Sequence, residues 1–216
     1  MRIFSSVAFK GGRRENRIYI IIAIVIIAVI ILTVFFSTNK LTKAFIEDST
    51  LGESWSEDIN ERKEESQLLG LENWASFTYK NNNDSYPAYV TVTSLKLLFM
   101  MNEDDLLDKT EVTINQASNQ GIYIDLDTRI TGKRDIKNGH KTTYIIYDGN
   151  DTFKEPYEMI KIIGEAWNCG SSGTSIICIG VAQITDNSNN NPEVNTNYWE
   201  KIISNQDGLI FNVKCH

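Results

Sequence analysis

The side chains able to do chemistry are few and widely spread. Histidine occurs only as His140 and His216, and cysteine only as Cys169, Cys178 and Cys215. Cys169 and Cys178 flank Gly170-Ser171-Ser172-Gly173, a turn sequence between two apolar runs that read as a hairpin. Facing residues of an antiparallel pair lie roughly 4.5–5.5 Å apart, within the range a disulfide accepts. A Cys169–Cys178 staple is therefore expected, against two competing outcomes: one of them pairs with Cys215, or all three stay reduced. Cys215-His216 places two ligand-type side chains together, but no further ligand stands at a recognisable metal spacing. No metal and no cofactor is expected. His140 follows Asn138-Gly139 at a strand start and reads as a solvated turn residue.

Asp125 and Asp127 lie two apart in an alternating run, which would set both carboxylates on one face of a strand. Such a pair suits a cation or acid–base chemistry. Arg129 is next in the same register, and a neutralised pair on a solvated face is the simpler reading. Ser171 and Ser172 miss the nucleophile-elbow pattern because Gly170 and Gly173 are three apart. Asp186-Asn187-Ser188-Asn189-Asn190 starts like a calcium loop, but Asn191 stands where its Gly should be and Asn197 where its Glu should be. No phosphate-cradling loop, C-x-x-C pair or H-E-x-x-H run is present, so no catalytic residue is assigned. Asn83-Asp84-Ser85 and Asn150-Asp151-Thr152 are glycosylation sequons in polar, turn-like stretches.

The element that must position all of this is Ile18 to Phe36, 19 residues without a charge. At about 1.5 Å of helical rise per residue it covers roughly the 30 Å of a bilayer core. Five basic residues and one acidic residue precede it, and only Lys40 and Lys43 follow closely, which keeps the N-terminus cytoplasmic. The run is longer than a signal-peptide core, and Phe35-Phe36-Ser37-Thr38 is a poor cleavage site. The chain is thus expected to carry a cytoplasmic tail (1–17), a single transmembrane helix (18–36) inserted in the lipid bilayer of the cell membrane, a charged stalk (37–70) and an exported domain (71–216).

Of the 21 basic and 28 acidic residues, 16 and 27 lie after Phe36, giving that part a charge of −11. Such an anionic surface argues against nucleic acid as a partner. The stalk is dense in charge, and a short solvated helix is expected from Ser54 to Leu69, ended by Gly70.

Beyond it, Ala75–Tyr79 and Ala88–Phe99 read as a hairpin. Asn102-Glu103-Asp104-Asp105 opens a helix with an N-cap and acids on the positive end of its dipole. Leu107, Ile114 and Ala117 are its expected apolar face. Strands are expected at Ile122–Ile130, His140–Tyr147, Tyr157–Asn168 and Thr174–Thr185, with turns at Asp148–Asp151 and Gly170–Gly173. A last helix is expected at Asn195–Ser204. The order of elements gives an α+β class, an antiparallel sheet covered by helices.

This layout resembles the PsbP-like superfamily. The likeness is carried by the hairpin FTYK…YVTVTS, the acid-capped helix, the meander KNGHKTTYIIYDG…IIGEAWNCGSSGTSIICIGVAQIT and the closing YWEKIISNQ. The chain lacks the early Tyr-Pro-x-x-Trp type segment common in that family; its Tyr86-Pro87 comes later and without the Trp. The resemblance implies a sandwich fold and a habit of binding protein partners, but no functional residues. The expected function is therefore non-enzymatic: an anchored external domain that binds a protein or envelope component. The alternatives are an envelope hydrolase using Asp125 and Asp127, or a sensor of an ion or small ligand.

Overall fold

Long runs of β-branched and aromatic residues make this chain a sheet former. The computed structural model describes residues 40–67, 72–116, 121–153, 155, 157–186 and 193–216. The basic tail and the apolar run 18–36 lie outside the described residues. Leu41–His216 form one compact unit. Its elements are α1 (Asp48–Leu51), β1 (Trp55–Glu57), β2 (Lys63–Gln67), β3 (Glu72–Asn81), β4 (Ala88–Lys96), α2 (Glu103–Asn115) and β5 (Ile122–Asp135). They continue through β6 (Lys141–Asp151), β7 (Glu158–Cys169), β8 (Thr174–Gln183), β9 (Thr185–Asp186), β10 (Glu193–Val194) and α3 (Asn197–Ile203).

Eight strands form one sheet in the order β1-β3-β4-β8-β7-β6-β5, with β2 beside β1 on the outer edge of β3. Every pairing in it is antiparallel. The α+β class with an antiparallel sheet is as expected.

The two longer helices cover opposite faces, and two glycines show why they can. Gly164 and Gly180 lie on paired strands, across from Ile179 and Ile163 respectively. Neighbouring positions on a strand point to opposite faces. A Cβ on Gly164 would come within 2.5 Å of Thr110 on α2, and one on Gly180 within 2.6 Å of Ile202 on α3. Bare backbone at these two points lets each helix sit close on its face. Asn102 caps α2 as expected, its side chain accepting the Asp105 N–H at 2.8 Å. The buried stripe is Leu106, Thr110 and Ile114, whereas Leu107 is only partly buried. The main core lies on the α3 face, where Trp167, Ile176, Ile202, Leu209, Ile210 and Val213 pack together.

Two expectations are corrected. The segment read as a stalk belongs to the domain from Leu41 onward, and no helix spans Ser54–Leu69 among the described residues. Ala44, Ile46, Leu51 and Trp55 are buried in the main core. The Ala44 N–H donates to Ser94 Oγ at 2.7 Å and the Ile46 N–H to Tyr79 Oη at 3.0 Å. The charged run Lys63–Gln67 is an edge strand on β3, a position that favours charge because it discourages further pairing. A few well-placed apolar residues dock the segment, and sheet hydrogen bonds override its helical charge spacing. The second correction is at Asp148–Asp151, which continues β6 instead of turning: Asp148 pairs with Asp125 and Lys161, and Asp151 with Ile122 and Glu158.

Candidate functional site

Three chain segments far apart in sequence meet at one end of the sheet. The first is the β5–β6 turn, closed by Gly139 at φ 75 and by the Gly139 N–H donating to Ile136 O at 2.8 Å. Only glycine adopts such a φ without strain. This turn grips the C-terminal segment: the Lys137 N–H donates to Phe211 O at 3.1 Å and Asn138 Nδ2 to Val213 O at 2.6 Å. On its other side the same segment bridges Phe45, with both Phe45–Lys214 backbone hydrogen bonds at 2.9 Å. The third segment is the last residue of β7, Cys169, whose carbonyl accepts the Ser172 and Gly173 N–H groups at 3.2 and 2.9 Å.

The result is that His140, Cys169, Cys215 and His216 converge. One ligand-type atom from each lies within 4.8 Å of all the others. Cys215 Sγ stands 3.2 Å from His140 Nε2 and 3.5 Å from His216 Nδ1, and Cys169 Sγ stands 3.4 Å from His216 Nδ1. The two imidazoles meet edge to face with centroids 5.4 Å apart. Both cysteines are buried, His140 is half-buried and His216 is exposed. These are the side chains able to hold a metal ion among the described residues.

The two sulfurs are electrostatically unlike. Burial opposes ionisation of Cys169, but hydrogen bonds from Ser171, Ser172, Cys215 and His216 outweigh it and bring the thiol down to about 6. Burial, reinforced by neighbouring Cys169, pushes Cys215 up to about 12, against the opposing Trp167 indole and Asn138 amide. A thiolate beside an imidazole can act as a nucleophile, but no substrate carbonyl reaches sulfurs that are 0% and 1% exposed.

The expected staple does not form. Cys169 faces Thr174 and Cys178 faces Glu165 in the β7–β8 register, four positions apart along strands that rise about 3.3 Å per residue. All three cysteines are free, and Cys178 is sealed in the core, where burial raises its thiol well above the ordinary value. His140, read as a solvated turn residue, instead packs on Cys215.

Asp125 and Asp127 sit where the β5–β6 register shifts. The Asp127 N–H donates to Asp125 Oδ1 at 3.1 Å, a local turn inside that break. Arg129 does not neutralise them; it forks onto Glu111 of α2 at 3.2 and 3.3 Å. Of the sequons, Asn83 lies in the β3–β4 turn with its Nδ2 donating to Tyr198 Oη at 3.1 Å. Asn150 lies inside the sheet, paired with Tyr123 and Met159.

The outer strand β5 has a neighbour on one side only among the described residues. Tyr123, Leu126 and Ile130 on it are each more than half exposed, at 57%, 60% and 57%. Sequence reasoning missed this edge because the register shift turns Leu126 outward. It missed the Cys/His cluster because its ligands share no local spacing. One signal was available: both histidines and two of the three cysteines flank glycine turns or end the sequence. Searches against family models, curated proteins and solved structures find no match for this chain.

Proposed function

We propose that this chain is a single-pass membrane protein that holds one α+β domain of PsbP-like build outside the cell, where the domain binds a protein or envelope component. The apolar run 18–36 and the basic residues before it support the anchor and its orientation. Binding is supported by one observation above the others: among the described residues, β5 has one edge without a neighbouring strand and bears exposed Tyr123, Leu126 and Ile130. Soluble surfaces rarely gather large apolar side chains along an open strand, and an open strand supplies main-chain donors and acceptors to an incoming one. A protein segment in extended form is the occupant this edge accepts. The hydrolase alternative is the weaker reading, because Asp125 and Asp127 lie at the break in the β5–β6 ladder, with the Asp127 N–H donating to Asp125 Oδ1.

A photo-crosslinking side chain at Leu126 in intact cells is expected to give one discrete protein adduct. Tyr123→Lys and Ile130→Lys introduced together should abolish it, and the same probe at exposed Glu200, on α3, should not produce it. An absent adduct, or one that survives the two lysines, would remove the edge from this account.

A further inference from the structure

We propose that His140, Cys169, Cys215 and His216 bind one zinc ion in a closed, tetrahedral, structural site. Zinc binds thiolate at about 2.3 Å and imidazole at about 2.0–2.1 Å, so a tetrahedron around it has sulfur–nitrogen edges of about 3.6 Å. The three close sulfur–nitrogen separations, 3.2, 3.4 and 3.5 Å, are within a few tenths of that edge. The remaining separations stay within 4.8 Å, so closing them on an ion needs only side-chain adjustment.

Charge and hydrogen bonding point the same way. Two thiolates and two neutral imidazoles cancel the double positive charge of the ion, which lets the site be buried without a net charge. The indole N–H of Trp167, itself 2% exposed, has no hydrogen-bond partner among the described residues. It lies two residues before Cys169 on the same face of β7 and packs in the main core with Cys169 and Cys215. A buried donor without an acceptor is costly, and a metal-bound thiolate supplies the acceptor. Two soft sulfurs with two nitrogens suit zinc and exclude calcium and magnesium, which take oxygen. Four protein ligands leave no open position, so the ion's task is structural. It fastens the C-terminus to the β5–β6 turn and to the end of β7, three segments otherwise joined by hydrogen bonds and by the packing of Ile136, Trp167 and Val213 in the main core. The inference is independent of what β5 binds.

The test uses the full chain, extracted in detergent under reductant without chelator. Elemental analysis should find one zinc per chain. Cobalt(II) loaded in its place should show thiolate charge-transfer and tetrahedral ligand-field bands, both abolished by added zinc. Cys178→Ser should leave stoichiometry and bands unchanged, whereas Cys215→Ser should lose both. His216 is exposed, so His216→Ala removes a ligand without opening the core, and it should weaken zinc binding by about tenfold or more. A reduced, folded chain that takes up neither ion stoichiometrically would overturn the proposal. So would zinc held equally well by the His216→Ala chain, or a Cys169–Cys215 disulfide in chains whose thiols are trapped directly in the membrane.

Discussion

Replacing Arg134 with Ala is expected to destabilise the domain by about 3–5 kcal/mol, the usual cost of leaving one partner of a buried ion pair alone. Its partner, Glu165 on β7, is fully buried on the main-core face. The guanidinium forks onto both carboxylate oxygens, with Nε to Oε1 at 2.9 Å, and Thr142 Oγ1 donates to Oε1 at 2.5 Å. The same guanidinium reaches the carbonyl of Ile203 at the end of α3 and Asn205 Oδ1 at 2.8 Å. One side chain thus neutralises a carboxylate inside the sheet and satisfies a helix end that packs on it. Alanine leaves the carboxylate with a single hydroxyl donor and frees the helix carbonyl. Changing both partners, Arg134→Met with Glu165→Leu, should recover most of the loss, because the desolvated charge is then gone. Denaturant unfolding at neutral pH measures both. A single-variant loss under about 1 kcal/mol would mean that water reaches Glu165.

Removing residues 41–70 is expected to abolish cooperative folding, whereas a chain starting at Leu41 should unfold in one sigmoidal transition. The removed piece carries Ala44, Ile46, Leu51 and Trp55 out of the core, and large apolar residues cost about 2–5 kcal/mol each when their core contacts are lost. Their sum is of the same order as the roughly 5–15 kcal/mol that keeps a domain folded. The piece also takes away Phe45, which brackets Lys214 and fixes the C-terminal segment. Thermal unfolding of the two chains decides between this and the charged-stalk reading. Equal midpoints would show that the 41–70 segment is the appendage its composition suggests.

What could be read from residues alone was local. The β3–β4 hairpin follows from alternating ASFTY and AYVTVTS, and α2 from an Asn cap before three acids. The GSSG turn was legible too, and counting outward from it already sets Cys169 against Thr174, so the misplaced staple was an error of register. The 41–67 segment was illegible for a physical reason. Its charges sit on an edge, where they are tolerated, and its four anchoring apolar residues are too sparse to produce a period. The Cys/His cluster was hidden more deeply. Its members come from a turn, a strand end and the C-terminus, and contacts remote in sequence, among them the Lys137–Phe211, Asn138–Val213 and Phe45–Lys214 hydrogen bonds, bring them together. The surroundings of Asp125 and Asp127 were not legible either, because strand alternation assumes an unbroken ladder, and the ladder breaks between Asp125 and Ile130.

The placement of the domain outside the membrane underlies its proposed role, and protease treatment of intact cells carrying a tag at each end tests it most directly. The basic residues before Ile18 predict that the C-terminal tag is lost while the N-terminal tag stays protected on a short membrane-bound fragment. Loss of the N-terminal tag with the 41–216 domain left whole would contradict it.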